Sequence, residues 1–157
     1  MKSSLKLLIY IIVGFTFLSG GLETFRIFTM NIQIDDRIQV IARDVIELSM
    51  IDRYRREHIS YMNTSVAKQL FYDLIREEFN LDSNLCPYND SSIYGKFTLK
   101  VCDFYEGKYE REAGKMIQKE NPTILIKGFT TIKPVVLGIK KRIPIYFNVL
   151  VKNRRVN

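Results

Sequence analysis

The chain has 157 residues, 46% hydrophobic and 26% charged, which suffices for one folded domain plus an N-terminal segment and excludes wholesale disorder. Its net charge of +7 is uneven: Lys133, Lys140, Lys141, Arg142, Lys152, Arg154 and Arg155 lie between Lys133 and Asn157 with no acidic residue among them, so the remainder balances. A basic end of this kind suits nucleic acid, anionic lipid or an acidic partner, or is a solvated edge and tail.

The first segment reads MKSSLKLLIYIIVGFTFLSGGL. Lys2 and Lys6 precede Leu7–Leu22, 16 residues without a charge. A charge carried into hydrocarbon costs about 2.5–3.5 kcal/mol, so this run is expected to enter a membrane with its lysines held on the cytoplasmic side. Sixteen residues cover about 24 Å, short of the roughly 30 Å hydrocarbon layer. Glu23 and Arg26 are spaced to pair on a helix, and Phe25, Ile27 and Phe28 continue the apolar surface. The expected span is therefore about Lys6 to Phe28, with the pair near the outer interface. This divides the chain into an anchor, 1–28, and an extracytoplasmic α+β domain, 29–157. A cleaved signal peptide is the rival, because Ser19-Gly20-Gly21 offers small residues and a cut after Gly21; a buried core helix is the third reading.

Ile27, Met30, Ile34, Ile38, Ile41, Val45 and Leu48 then form one helical stripe. Gln33, Arg37, Arg43, Asp44 and Glu47 lie opposite. The hydrophobic helix thus runs directly into an amphipathic one, extending towards Arg55 or Ile59. The stripe packs on the domain's own sheet, on neighbouring subunits, or on each at a different height. A division by height is expected, with Ile27, Met30 and Ile34 facing partners and Ile41, Val45 and Leu48 facing the sheet. A second helix is predicted over Thr64–Phe79, capped by Asn63 or Thr64 and carrying Val66, Leu70, Leu74 and Ile75. Asn80–Ser92 has the composition of turn and loop.

The remaining residues change period. Phe97, Leu99 and Val101 alternate with Lys96, Thr98 and Lys100 as a half-buried strand. Glu106–Asn121 reads as a loop with one helical turn near Ala113–Gln118. Pro122–Ile132 is a second strand, ended by Lys133-Pro134 and Gly138. Ile143, Ile145, Phe147, Val149 and Val151 alternate with Pro144, Tyr146, Asn148, Leu150 and Lys152 in a third, and Pro144 belongs at its start or on an edge. The fold class is α+β: an N-terminal transmembrane helix continuing into a long amphipathic helix, a second short helix, and a small antiparallel sheet of about three or four strands.

Catalytic chemistry is hard to place. His58 is the single histidine, so a His-based metal cluster or triad lacks its parts, and Glu57-His58 reads as a surface pair. Asp35, Asp36, Asp44, Glu47 and Asp52 read as a solvated helix face. No phosphate-binding or dinucleotide glycine pattern occurs. No catalytic residue, cofactor, metal or small-molecule substrate is inferred, and an enzyme is not expected. Cys86 and Cys102 are a candidate disulfide, expected to close a loop worth about 3 kcal/mol, or else two free buried thiols. Phe129, Tyr146 and Phe147 stand among basic residues, but alternation leaves only Tyr146 outward, so nucleic acid is not the expected partner.

A hydrophobic helix prolonged by an amphipathic one and followed by a small antiparallel sheet resembles the pilin-like proteins. Within that group the chain is most similar to TadE-like minor pilins and pseudopilins of tight-adherence (Flp-type) pilus systems. The resemblance spans nearly the whole chain, through the helix from Asp36 to Met50, VAKQLFYDLIREEFNLDSNL (Val66–Leu85), and the closing KPVVLG and IPIYFNVLVK. It implies a structural envelope protein in the cell membrane, single-pass, its N-terminus cytoplasmic and its C-terminal domain extracytoplasmic. The implied partners are the membrane and other envelope or pilus-assembly proteins met through the N-terminal helix. One feature departs from the family: prepilin processing sites place a glycine and then a glutamate at the start of the apolar stretch. Here Gly14 lies inside that stretch, and Gly21-Leu22-Glu23 lies after it, so processing and entry into a fibre are not implied. The alternative function is an exported soluble binding module released after Gly21.

Overall fold

The structure, a computed structural model, describes residues 2–51, 59–88, 94–135 and 141–153. Helix α1 spans Lys2–Leu48 without a break. Its glycines (Gly14, Gly20 and Gly21) do not interrupt it, since Leu and Ile around them keep the ladder satisfied within the segment. Helix α2 spans Thr64–Phe79, and the five strands are β1 Thr98–Tyr105, β2 Lys108–Glu112, β3 Lys115–Glu120, β4 Thr123–Ile132 and β5 Ile143–Lys152. The class is α+β, with the long helix, the short helix and the antiparallel sheet all as expected.

The main sheet has the order β1-β4-β5 and is antiparallel throughout. Its inner face rests on α1 beneath β5 and on α2 beneath β1. The β5 alternation holds without exception from Ile145 to Lys152, odd positions buried and even ones exposed. Pro144 lies near the start of this edge strand, opposite Thr131, where its missing N–H need cost no ladder bond. In β4, Gly128 permits the sheet's closest approach: a Cβ there would stand 2.3 Å from the Thr98 carbonyl oxygen and 2.7 Å from the Phe147 ring.

Two strand expectations need correction. In β1 the register slips between Leu99 and Val101. This bulge inverts the alternation, so Leu99, Cys102 and Phe104 pack on the core and Val101 does not. The segment Glu106–Asn121 is not a loop with a helical turn but a hairpin, β2 pairing with β3. Ala113 and Gly114, both at positive φ (48° and 81°), make its two-residue turn. Exposed charged side chains and a non-standard residue at the first turn position hid it from periodicity. Gln118 ties the hairpin to Ser60 by accepting from its N–H at 2.9 Å and donating to its carbonyl at 3.0 Å.

Helix α2 has the predicted limits, with the Asn63 side chain accepting from the N–H groups of Ser65 and Val66. Its buried face is Ala67, Phe71, Ile75 and Phe79, rotated from the Val66, Leu70, Leu74 set. Aromatic rings decide this: Phe71 packs edge-on to Phe104, and Phe79 lies 4.6 Å from Phe97 between centroids. The turn at Asn80–Tyr88 is held by Asp82, whose Oδ1 accepts from the N–H groups of Asn84 and Cys86 at 2.8 Å each. Glu57-His58, Asp52, Arg55, Gly138, Lys140, Arg154 and Arg155 lie outside the described residues.

Candidate functional site: the apolar helix and the collar at its exit

From Leu5 to Leu18 the apolar side chains of α1 are exposed, from 46% at Val13 to 78% at Phe17. One helix is thus long and apolar enough to cross a membrane, and none of its most apolar window is covered by the domain. An uncovered surface of this size in water would drive aggregation; in hydrocarbon it needs no cover.

The character of the helix changes at Glu23. Arg26 Nη2 lies 2.6 Å from Glu23 Oε1, the pairing expected from their spacing. The sequence did not reveal what closes over this pair. The chain leaving β4 crosses it: Arg26 Nη2 donates to the Lys133 carbonyl at 2.9 Å, and the Val135 N–H donates to Glu23 Oε1 at 3.4 Å. Glu23 is 8% exposed as a result. The folded domain therefore begins at Glu23, six residues below the boundary expected at 28/29.

Above the collar, α1 becomes core. Met30, Ile34, Ile38, Ile41 and Val45 are buried and Ile27 is half-buried. Met30 and Ile34 thus lie inside the domain rather than on a partner-facing surface. The reason is length: α1 from Glu23 to Val45 rises about 33 Å, and the ten residues of β5 cover about the same distance. The sheet accordingly accompanies the helix down to its exit. Leu48, expected on the same face, is 65% exposed, while Ala42 and Ile46 are buried. A stripe repeating every 3.5 residues drifts about 20° per heptad on a straight helix, which over three heptads carries Leu48 off the face.

The acidic face is also not uniform. Asp36, Asp44 and Glu47 are exposed, but Asp35 is half-buried and accepts from the Asn148 backbone. Burial raises its pKa above the ordinary carboxylate value, opposed by that hydrogen bond and assisted by neighbouring Asp36. Arg37 reaches α2 instead, 2.9 Å from Glu78.

The cysteines are free thiols, so the candidate disulfide is absent. Cys86 sits in the turn organised by Asp82, whereas the β1 bulge turns Cys102 inward towards α2 and Tyr72. Burial pushes the Cys102 thiol up to about 11, with Asp103 adding to the shift and Lys68 and the Tyr72 hydrogen bond opposing it. Such a thiol is inert at neutral pH. Among the described residues no group of three or more His, Cys, Asp or Glu could hold a metal.

On the outer face of the sheet, Phe129 and Tyr146 pair across β4 and β5 at 5.8 Å, and Lys100 lies 5.6 Å over the Phe129 ring. Alternation alone missed Phe129 here; cross-strand register brings the rings together.

No family model, curated protein or solved structure matches the chain. The long apolar helix with a small antiparallel sheet defines an α+β protein whose architecture is compatible with a pilin-like fold.

Proposed function

We propose that the chain is a structural, single-pass membrane protein of the cell envelope, its N-terminus cytoplasmic and its α+β domain outside, serving as a TadE-like minor pilin or pseudopilin in a pilus or secretion assembly. The observation that carries this reading is one helix with two environments. Below Glu23 its apolar surface is wholly open; above Glu23 the same helix is the spine of the domain. Anchor and domain are thereby mechanically continuous, as a lateral assembly component requires. Because Met30 and Ile34 are consumed by the domain, contacts with partner helices fall to the membrane segment. There, close packing depends on small residues, and Gly14, Gly20 and Gly21 have nothing within 4 Å of a notional Cβ. The function is scaffolding rather than catalysis.

The test is topological. A cysteine-accessible tag at the C-terminus should react in intact cells, the protein should resist carbonate extraction, and envelope partners should co-purify with it. Release by carbonate with a mature N-terminus at Leu22 would establish the soluble binding module instead.

A further inference from the structure

The apolar span and the domain are not separated by a stalk. Leu7–Leu22 supplies about 24 Å of helix against roughly 30 Å of hydrocarbon, and the next residue, Glu23, is already enclosed by the chain that follows β4. A helix that fills the bilayer must draw Arg26 to the interface. Whatever is bonded to Glu23 and Arg26 comes with it.

What comes with it is basic and partly apolar. Lys133, whose carbonyl accepts from Arg26, points into solvent, and Val135, whose N–H donates to Glu23, is 76% exposed. Antiparallel pairing of Ile132 with Ile143 sets Lys141 and Arg142 beside them on the returning strand, Lys141 exposed and Arg142 half-buried. No acidic residue follows Lys133 in the sequence, and Glu23, the acid nearest these flanks in the bonding pattern, is engaged by Arg26. Exposed lysine and arginine flanking an exposed aliphatic side chain, at headgroup height, suit the acyl boundary and the phosphates above it.

Resting on the membrane-anchored reading above, we propose that this lower end of the domain, Lys133–Val135 with Lys141 and Arg142, docks on the bilayer that α1 crosses and binds anionic phospholipid headgroups. The second attachment fixes the height and tilt of the domain, which a single helix leaves free. The basic excess of the final residues then has a partner at its lower end.

The chain contains no tryptophan, so a single introduced one reports its own surroundings. Full-length protein carrying Val135→Trp is reconstituted into phosphatidylcholine vesicles with and without phosphatidylglycerol, containing lipid brominated high on the acyl chains. Blue-shifted, quenched emission is expected, stronger when phosphatidylglycerol is present, and Lys133→Gln with Lys141→Gln should abolish that difference. Leu18→Trp, in the span, and Ile117→Trp, on the hairpin beside Ser60, are the quenched and unquenched references. Solvent-like, unquenched Val135→Trp beside a quenched Leu18→Trp would overturn the docking while leaving the anchor intact. Equal quenching in both lipid mixtures would overturn the anionic headgroup assignment. An unquenched Leu18→Trp would remove the anchor itself, and the docking with it.

Discussion

Glu23 and Arg26, three residues apart on one helix, close an ion pair at 2.6 Å that is sealed by the backbone of Lys133 and Val135, more than a hundred positions later in the chain. The pair is local in sequence, but its burial is not. Replacing Glu23 with Gln should therefore cost more than an exposed helix pair, about 1–3 kcal/mol as expected for hydrogen bonds to charged groups. Thermal melting of the detergent-solubilised full chain measures it, and an unchanged midpoint would deny the collar a structural role.

Ile34 and Leu48 should separate cleanly. Ile34 is fully buried, so Ile34→Asp places an unpaired carboxylate in the core at a cost comparable with total domain stability, about 5–15 kcal/mol. Leu48→Asp, at a 65% exposed position, should stay within about 0.5 kcal/mol. Circular dichroism melts of both variants decide whether the stripe belongs to the domain to the extent described.

Gly20 tests the membrane segment apart from the domain. Gly20→Ile adds bulk where nothing in the protein lies within 4 Å, so melting of the domain should not move. Co-purification with envelope partners should fall if partner helices approach the backbone there. Retention of every partner would place the assembly contact elsewhere.

The cysteines should show equal mobility in reducing and non-reducing electrophoresis. Cys102 should resist alkylation near pH 8 in the folded protein and become reactive only as pH approaches about 11. Because its folded value lies above the reference of 9.0, the thiol contributes stability below pH 9 that is lost as pH rises through about 11. Cys102→Ser should reduce that alkaline loss.

Asp35 supplies the acidic counterpart. Its pKa is raised above 3.8 by burial, so ionisation is disfavoured in the folded state and this contribution is lost as pH rises through its folded value. Asp35→Asn should melt higher than the parent at pH 7, with the difference shrinking as pH falls towards 3.8. An equal difference at all pH values would mean that ionisation is not its cause.

The sequence by itself determined what depends on neighbours along the chain: the uncharged run of Leu7–Leu22, the Glu23–Arg26 spacing, the limits of the second helix with Asn63 at its cap, and the inward and outward residues of Ile145–Lys152. Each is a local pattern of hydropathy or hydrogen bonding. Only the tertiary structure decided where the domain meets the helix, because burial of Glu23 requires a strand end from the far side of the chain. The same holds for the bulge that turns Cys102 away from a disulfide and the ring packing that rotates α2. The β2–β3 hairpin is of this kind too: its side chains are mostly exposed and charged, so hydropathy carries no period, and its turn is set by backbone angles at Ala113 and Gly114. Leu48 shows the limit most simply. Its spacing matches the stripe residue by residue, yet the accumulated rotation of a straight helix over three heptads leaves it in solvent.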